Sequence, residues 1–135
     1  MNDARLRILV VEDDPDLLWL MTHALESVGF VVIKAFGGED ALRKVKSQPP
    51  DLIITDLAMP VMSGAELIHA VKSDPSTQQI PCIAVTAFLW DHIAGSAKAA
   101  GCESFISKPF TAARLREEVV KLLPFPRQAV AAKGR

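Results

Sequence analysis

The chain has 135 residues, half of them hydrophobic, and a formal net charge of −1 from 15 Lys plus Arg against 16 Asp plus Glu. This length can bury one sizeable core, and the balanced charge gives no basic field for a polyanion, so we expect a single domain that does not bind nucleic acid directly. The apolar stretches are far shorter than the roughly 20 residues of a membrane span, and the polar first residues do not form a signal peptide, so we expect a cytoplasmic protein with no membrane contact.

Five short apolar segments rich in β-branched residues alternate with amphipathic segments, which predicts a βα unit repeated five times. Continuously apolar strands are typical of a parallel sheet covered by helices on both faces. The predicted fold class is therefore α/β, a doubly wound parallel sheet of five strands with five helices. The predicted strands are Ile8–Val11, Val31–Ile33, Leu52–Thr55, Ile80–Thr86 and Ser104–Ser107.

Caps, glycines and prolines predict where the helices begin and end. Asp14-Pro15 begins the first helix and Gly29 ends it, and Asp91 is the expected cap of the fourth. The predicted helices cover about 15–28, 39–47, 64–73, 91–100 and 111–123. We expect residues 1–5 to be an N-terminal tail, 6–123 the domain, and 124–135 a flexible C-terminal tail too short to be an output domain, as in a stand-alone protein.

Two helices carry side chains whose direction the helical period predicts. In the first helix, Leu18 and Trp19 are expected to face outward, and in the fifth, Glu118 is expected on the solvated side. The predicted core-facing residues are Leu17, Leu20, Met21, Ala24, Leu25 and Val28 in the first helix and Leu115, Val119 and Leu122 in the fifth; the solvated side of the fifth is predicted to carry Arg114, Arg116, Glu117, Glu118 and Lys121.

Polar side chains follow four of the five predicted strands. Because the carboxyl ends of parallel strands meet at one edge of a sheet, where ligands bind, we expect these side chains to lie close together. Any one of them has a structural explanation, as a helix cap, a solvated charge or a strand residue, but their joint placement favours a functional site. They are Glu12, Asp13 and Asp14 after the first strand, Asp56 after the third, Thr86 at the end of the fourth and Lys108 after the fifth.

The chemistry of this set is compatible with phosphoryl transfer at a metal site. Clustered carboxylates are tolerated around a hard cation with oxygen ligands, and a site with few protein ligands suits Mg²⁺. A carboxylate beside that cation can attack phosphorus, while Lys108 and the Thr86 hydroxyl neutralise and hydrogen-bond the remaining phosphate oxygens.

The motifs around these residues resemble those of one known family, the receiver domains of response regulators in two-component signal transduction. The resemblance covers about residues 6–123, and the spacing of the four strand-end sites also fits. It implies a flavodoxin-like sheet with the strand order 2-1-3-4-5. The motifs are Ile8-Leu9-Val10-Val11-Glu12-Asp13-Asp14, Asp56-Leu57-Ala58-Met59-Pro60 with Met62-Ser63-Gly64, Ile80-Pro81 with Ala84-Val85-Thr86-Ala87, and Phe105-Ile106-Ser107-Lys108-Pro109-Phe110 after Gly101-Cys102.

The resemblance assigns a role to each matching position. It implies that Asp56 is the phosphoacceptor, Thr86 the switch hydroxyl and Lys108 the phosphate-binding lysine, joined to Pro109 by a cis peptide bond. The implied Mg²⁺ ligands are Asp13, Asp56, the backbone carbonyl of Ala58 and, directly or through water, Glu12. Phe105 matches the aromatic switch residue.

Three departures from the family pattern affect these roles. Glu12 replaces a commoner Asp, so Asp13 is the surer metal ligand. Phe105 lacks the hydroxyl of many relatives, so burial alone would govern its rotamer. Ala58 and Phe88 offer no polar side chain to orient an attacking water, which predicts slow loss of the phosphoryl group.

The partners implied are a histidine kinase or histidine phosphotransfer protein, docking at Asp14, Pro15 and Leu18, and a downstream protein target on the 91–123 face. Two alternatives stay open. A Mg²⁺-dependent phosphohydrolase with an aspartyl nucleophile would generally need a second acid at position 58, where Ala58 stands. A degenerate receiver used only for docking would not need Asp13, Asp56, Thr86 and Lys108 intact.

Overall fold

Five parallel strands form one sheet in the order β2-β1-β3-β4-β5, with five helices between and after them, as predicted. The computed structural model describes residues 5–87 and 92–123. Asp91, Phe88 and the proposed C-terminal tail lie outside these residues, and the predicted domain bounds stay predictions. The elements are β1 Arg7–Val11, α1 Pro15–Glu26, β2 Val31–Ala35, α2 Gly38–Ser47, β3 Leu52–Asp56, α3 Gly64–Ser73, β4 Cys82–Thr86, α4 His92–Ala99, β5 Ser104–Ser107 and α5 Ala112–Leu122.

Burial along the strands follows their place in the sheet. Every residue of β3 and β4 is buried, and so are four of the five in β1, whereas the edge strands β2 and β5 each include an exposed residue. Alternate side chains therefore enter two cores. One lies under α2, α3 and α4 and includes Leu9 and Ile53, while the other lies under α1 and α5 and includes Ile8 and Leu52.

Local signals in the sequence explain the helix ends. Asp14 caps α1 by accepting a hydrogen bond from the Asp16 N–H at 3.0 Å, with Pro15 in the first turn. Ser63 and Glu66 form a capping box at the start of α3, and Thr111 caps α5. Gly29 adopts the left-handed backbone that commonly ends a helix, with φ of 98°.

The predicted face of α1 is confirmed at Met21, Ala24 and Leu25, which are buried, and at Trp19, which is exposed, but it is wrong at three other positions. Leu18 is only 3 % exposed and packs in the core with Met21 and Leu25, whereas Leu20 and Val28, predicted as core, are exposed. Residues 17–21 are all apolar, so two alternative stripes of apolar residues fit the helical period. The stripe that is buried also contains the polar residue Thr22, and for this reason it is the harder one to recognise in the sequence.

The predicted solvated face of α5 is wrong at one position. Glu118 is buried, and its carboxylate accepts hydrogen bonds from the Ser104 hydroxyl at 2.8 Å, from Arg114 at 2.8 Å and from Lys121 at 3.3 Å. Burial alone would raise the pKa of Glu118, but these donors outweigh it and hold the pKa below its usual value. The hydrogen bond from Ser104 joins α5 to β5, and the other two lie within α5.

Across residues 5–87 and 92–123, every helix is too short or too polar to span a bilayer.

Candidate functional site

Asp56 lies at the carboxyl end of β3, the middle strand of the sheet, and is only 6 % exposed. One of its carboxylate oxygens, Oδ1, accepts a hydrogen bond from the Ala58 N–H at 3.3 Å. The other, Oδ2, is 3.3 Å from Lys108 Nζ. Asp56 therefore lies nearly buried at the carboxyl edge of the sheet, with the Lys108 ammonium on one side of its carboxylate.

An acidic pair from the end of β1 faces Asp56. Carboxylate oxygens of Glu12, Asp13 and Asp56 all lie within 4.8 Å of one another. Asp13 is exposed, whereas Glu12 is buried, and its Oε1 accepts the Asp14 N–H at 3.2 Å. The strand order explains why these three carboxylates lie close together, because β1 and β3 are hydrogen-bonded neighbours in the sheet.

The surroundings of Glu12 disfavour the charged form of its carboxylate. Burial, and secondly the charge of Asp56, raise the pKa of Glu12 to about 7. Its Oε2 is 3.5 Å from Lys108 Nζ but, within the described part of the chain, has no hydrogen-bond partner. A buried oxygen left in this way is a fitting ligand for a cation or for a water bound to one.

Lys108 and Thr86 complete the site from β4 and β5. The Lys108 N–H donates to the Thr86 carbonyl at 2.8 Å, which fixes the end of β5 beside β4. Burial would lower the pKa of Lys108, but Asp56 and Glu12 outweigh it and hold the pKa above its usual value, so the side chain is cationic. The Lys108-Pro109 peptide is cis, as predicted, and Thr86 is buried.

The loop between β3 and α3 closes tightly over the backbone of Asp56. The Gly64 N–H donates to the Leu57 carbonyl at 3.0 Å, and a Cβ built on Gly64 would lie 2.2 Å from the Asp56 carbonyl oxygen. Only glycine allows this approach. Ala58, in the same loop, is exposed at the mouth of the site.

Comparison with known proteins shows to which family the chain belongs. The sequence model of the response regulator receiver domain family matches residues 8–120 of the chain. The chain belongs to the response regulator receiver family. It is 34 % identical over 116 residues to the polar-differentiation response regulator DivK of Brucella ovis, an alignment covering 86 % of this chain and 94 % of DivK.

Solved receiver structures share the fold. The chemotaxis protein CheY4 of Vibrio cholerae aligns with a TM-score of 0.83 at 28 % identity, covering 88 % of this chain and 99 % of CheY4. The receiver domain of the sensor histidine kinase PA1611 of Pseudomonas aeruginosa aligns with a TM-score of 0.82 at 27 % identity, covering 88 % of this chain and 98 % of that domain. That structure is described as having a magnesium ion coordinated in its active-site cleft.

The structure also shows where the predicted switch residue and the predicted docking residues lie. Phe105 is half-buried on β5 and packs against the core under α4, so its role as a switch stays a prediction. Asp14 and Pro15 are exposed beside the acidic pair. Leu18 cannot be the predicted docking anchor, because its side chain is buried in the core. The apolar residues exposed beside it are Trp19, at 63 %, and Leu20, at 41 %.

Two features of the site region were missed in the sequence. The Ser63-x-x-Glu66 pattern is the signature of a capping box and could have been read from the sequence. The backbone at Val61 has a positive φ of 69°, which a β-branched residue gives no reason to expect.

Proposed function

We propose that Asp56 is the phosphoacceptor of this receiver domain, taking a phosphoryl group from a phosphohistidine of a histidine kinase or phosphotransfer protein. The observation that carries the proposal is the position of its carboxylate, nearly buried between the Glu12-Asp13 pair and the Lys108 ammonium. No other carboxylate among the described residues combines these surroundings.

The transfer is a displacement at phosphorus. An Asp56 carboxylate oxygen forms the new P–O bond while the P–N bond to the donor histidine breaks and the imidazole leaves. Lys108 stays protonated and pairs with a phosphoryl oxygen, and the Thr86 hydroxyl hydrogen-bonds another. Movement of Thr86 and Phe105 toward the phosphorylated site then biases the surface of α4, β5 and α5 toward one state.

Mg²⁺ is the cofactor we propose for this reaction. Asp13, Asp56, the Ala58 carbonyl and Glu12 would hold it, and the three converging carboxylates with the unpartnered Glu12 Oε2 fit a hard divalent cation. When bound, the ion neutralises negative charge on the carboxylates and on the incoming phosphoryl group.

The chemistry we propose is limited to the chain's own phosphorylation and slow autodephosphorylation. The apolar Ala58 supports this limit, since a phosphohydrolase of this type generally has an acid there to protonate a leaving group. A purely docking role would leave the retained Asp13, Asp56 and Lys108 without a use.

Receiver domains interact with histidine kinases and with downstream targets. For this chain we propose that the donor docks beside the site, over Asp14 and Pro15 with Trp19 in place of the buried Leu18. We propose the 91–123 face for the downstream protein target. The cytoplasm, where ATP-dependent kinases work, is the proposed location.

The test is labelling by a small phosphodonor. Incubated with acetyl phosphate and Mg²⁺, the chain should gain the mass of one phosphoryl group, and Asp56→Asn should gain none, because an amide cannot form the acyl phosphate. Asp16→Asn, which alters an exposed carboxylate in α1, is the matched control and should label like the wild type. Full labelling of Asp56→Asn would refute the assignment.

A further inference from the structure

The outer side of α1 has an apolar groove, the α1 groove, which α5 also lines. Trp19 and Leu20 are exposed in its wall, and Ala112 of α5 lines it too. The Trp19 ring lies against His23, with 4.2 Å between the ring centroids, so the indole is held on the surface of the helix. The other residues that line the groove are Ala24, Glu26 and Ser27. A tryptophan and a leucine exposed side by side form the kind of patch that another segment commonly covers.

The chain that follows α5 starts on the same side of the sheet as this groove. Helices α1 and α5 each follow a strand of the parallel sheet and pack on one core, so both run from its carboxyl edge toward its amino edge. Leu123, the residue after α5, is half-buried against that core. The residues after Leu123 therefore start at the edge of the sheet where α1 ends, with Glu26 and Ser27.

The segment 124–135 is long enough to run back along α1. Its 12 residues span at most about 40 Å when extended, whereas the 12 residues of α1 extend over about 18 Å. Phe125 is the second residue after Leu123, so it stays within about 7 Å of the end of α5. Arg127 is the fourth, within about 14 Å.

The composition of this segment complements the groove. It has two large apolar residues, three cations and no acidic residue, namely Phe125 and Val130, then Arg127, Lys133 and Arg135. The net charge of the whole chain is −1, so the rest of the chain is acidic. Among the described residues, Glu26 is the one carboxylate that lines the groove, and it is exposed. Apolar contact at the centre with opposite charges at the rim is the usual composition of an interface.

We infer that residues 124–135 dock reversibly in the α1 groove, with Phe125 and Val130 on its apolar wall and Arg127 beside Glu26. The contact is small and exposed, so the segment exchanges between a docked and a free form, which agrees with the flexibility predicted from its sequence. Because Trp19 also belongs to the surface proposed for the donor, the docked segment and the donor exclude each other. That consequence rests on the proposed function, whereas the docking does not.

The emission of Trp19 tests the docking in the full chain. The chain has two tryptophans, and Trp90→Phe leaves Trp19 as the single reporter. In this background, Phe125→Ser should shift the emission to longer wavelength and raise the acrylamide quenching constant about twofold, because loss of a large apolar side chain favours the free form. Gln128→Ser, which alters a polar residue of the same segment, is the matched control and should change neither quantity.

Charge reversal tests where the segment lies. Arg127→Glu should also expose Trp19, with a smaller effect than Phe125→Ser, since one exposed ion pair is weak. Adding Glu26→Arg should restore the original emission, because opposite charges then face each other again. Adding Glu117→Arg instead, which reverses an exposed acid of α5 outside the groove, should restore nothing.

Three results would each overturn the docking. The first is equal quenching of Trp19 in the chains with and without Phe125→Ser. The second is an emission that changes with protein concentration, which would mean that a second copy of the chain covers the groove. The third is a charge-reversed pair that quenches like Arg127→Glu alone. None of these measurements uses a phosphodonor, so their failure is distinct from a failure of the labelling test at Asp56.

Discussion

We predict that the side chain of Ala58 affects how a water approaches the proposed phosphoaspartate. Ala58 is exposed two residues after Asp56, where it offers no group to orient or deprotonate an attacking water. Ala58→Asn should therefore shorten the lifetime of the phosphorylated chain by about tenfold, since positioning of a reacting water is worth at least that much. The decay is followed by intact mass after acetyl phosphate is removed.

Ala58→Leu is the control at the same position. It enlarges the side chain without adding a polar group, so its decay should be no faster than that of the wild type. Equal acceleration by Asn and Leu would show that disturbance of the loop, and not water orientation, controls the lifetime.

At the scale of elements, two glycines differ in whether their surroundings leave space for a side chain. A Cβ on Gly64 would lie 2.2 Å from the Asp56 carbonyl oxygen and 2.8 Å from Leu57 Cα, whereas one on Gly95, in α4, meets no atom of the described residues within 4 Å. Gly64→Ala should cost about 3 kcal/mol or more in the free energy of unfolding, because backbone must move. Gly95→Ala should add about 0.5–1 kcal/mol by favouring the helix.

Urea unfolding measures both changes, and amide exchange locates the second. Only Ala94 and Ala97 of α4 are buried, so little apolar area holds this helix and its amides should exchange faster than those of β3 and β4. Gly95→Ala should slow that exchange. If Gly64→Ala is as stable as the wild type, the close approach to Asp56 is not a constraint.

The sequence predicted elements better than it predicted the rotation of a helix. Continuous apolar runs predicted the strands. The polar residues at the strand ends predicted that Asp56, Thr86 and Lys108 would lie together, because a parallel sheet brings its carboxyl ends to one edge. The face of α1 was ambiguous, since five successive apolar residues fit two stripes. The burial of Glu118 was not predictable, because its partner Ser104 lies on another element.

At the scale of the whole molecule, charge is balanced overall and concentrated locally. The net charge is −1, yet three carboxylates converge at one edge of the sheet, and burial with the charge of Asp56 raises the pKa of Glu12 to about 7. Lys108 offsets only part of this repulsion. The folded state without a cation therefore holds a locally unfavourable cluster that the unfolded chain does not.

Mg²⁺ should for this reason stabilise the whole fold, because a ligand that binds only the folded state adds RT ln(1 + [L]/Kd). At a concentration of about 100 times its Kd, Mg²⁺ should raise the free energy of unfolding by roughly 2.7 kcal/mol. Asp13→Asn should lose most of this gain while being at least as stable as the wild type in EDTA, since it removes a ligand and a like charge together. Asp16→Asn should keep the gain. Urea unfolding with Mg²⁺, and with NaCl of equal ionic strength, checks this, and an equal gain in Asp13→Asn would place the ion elsewhere.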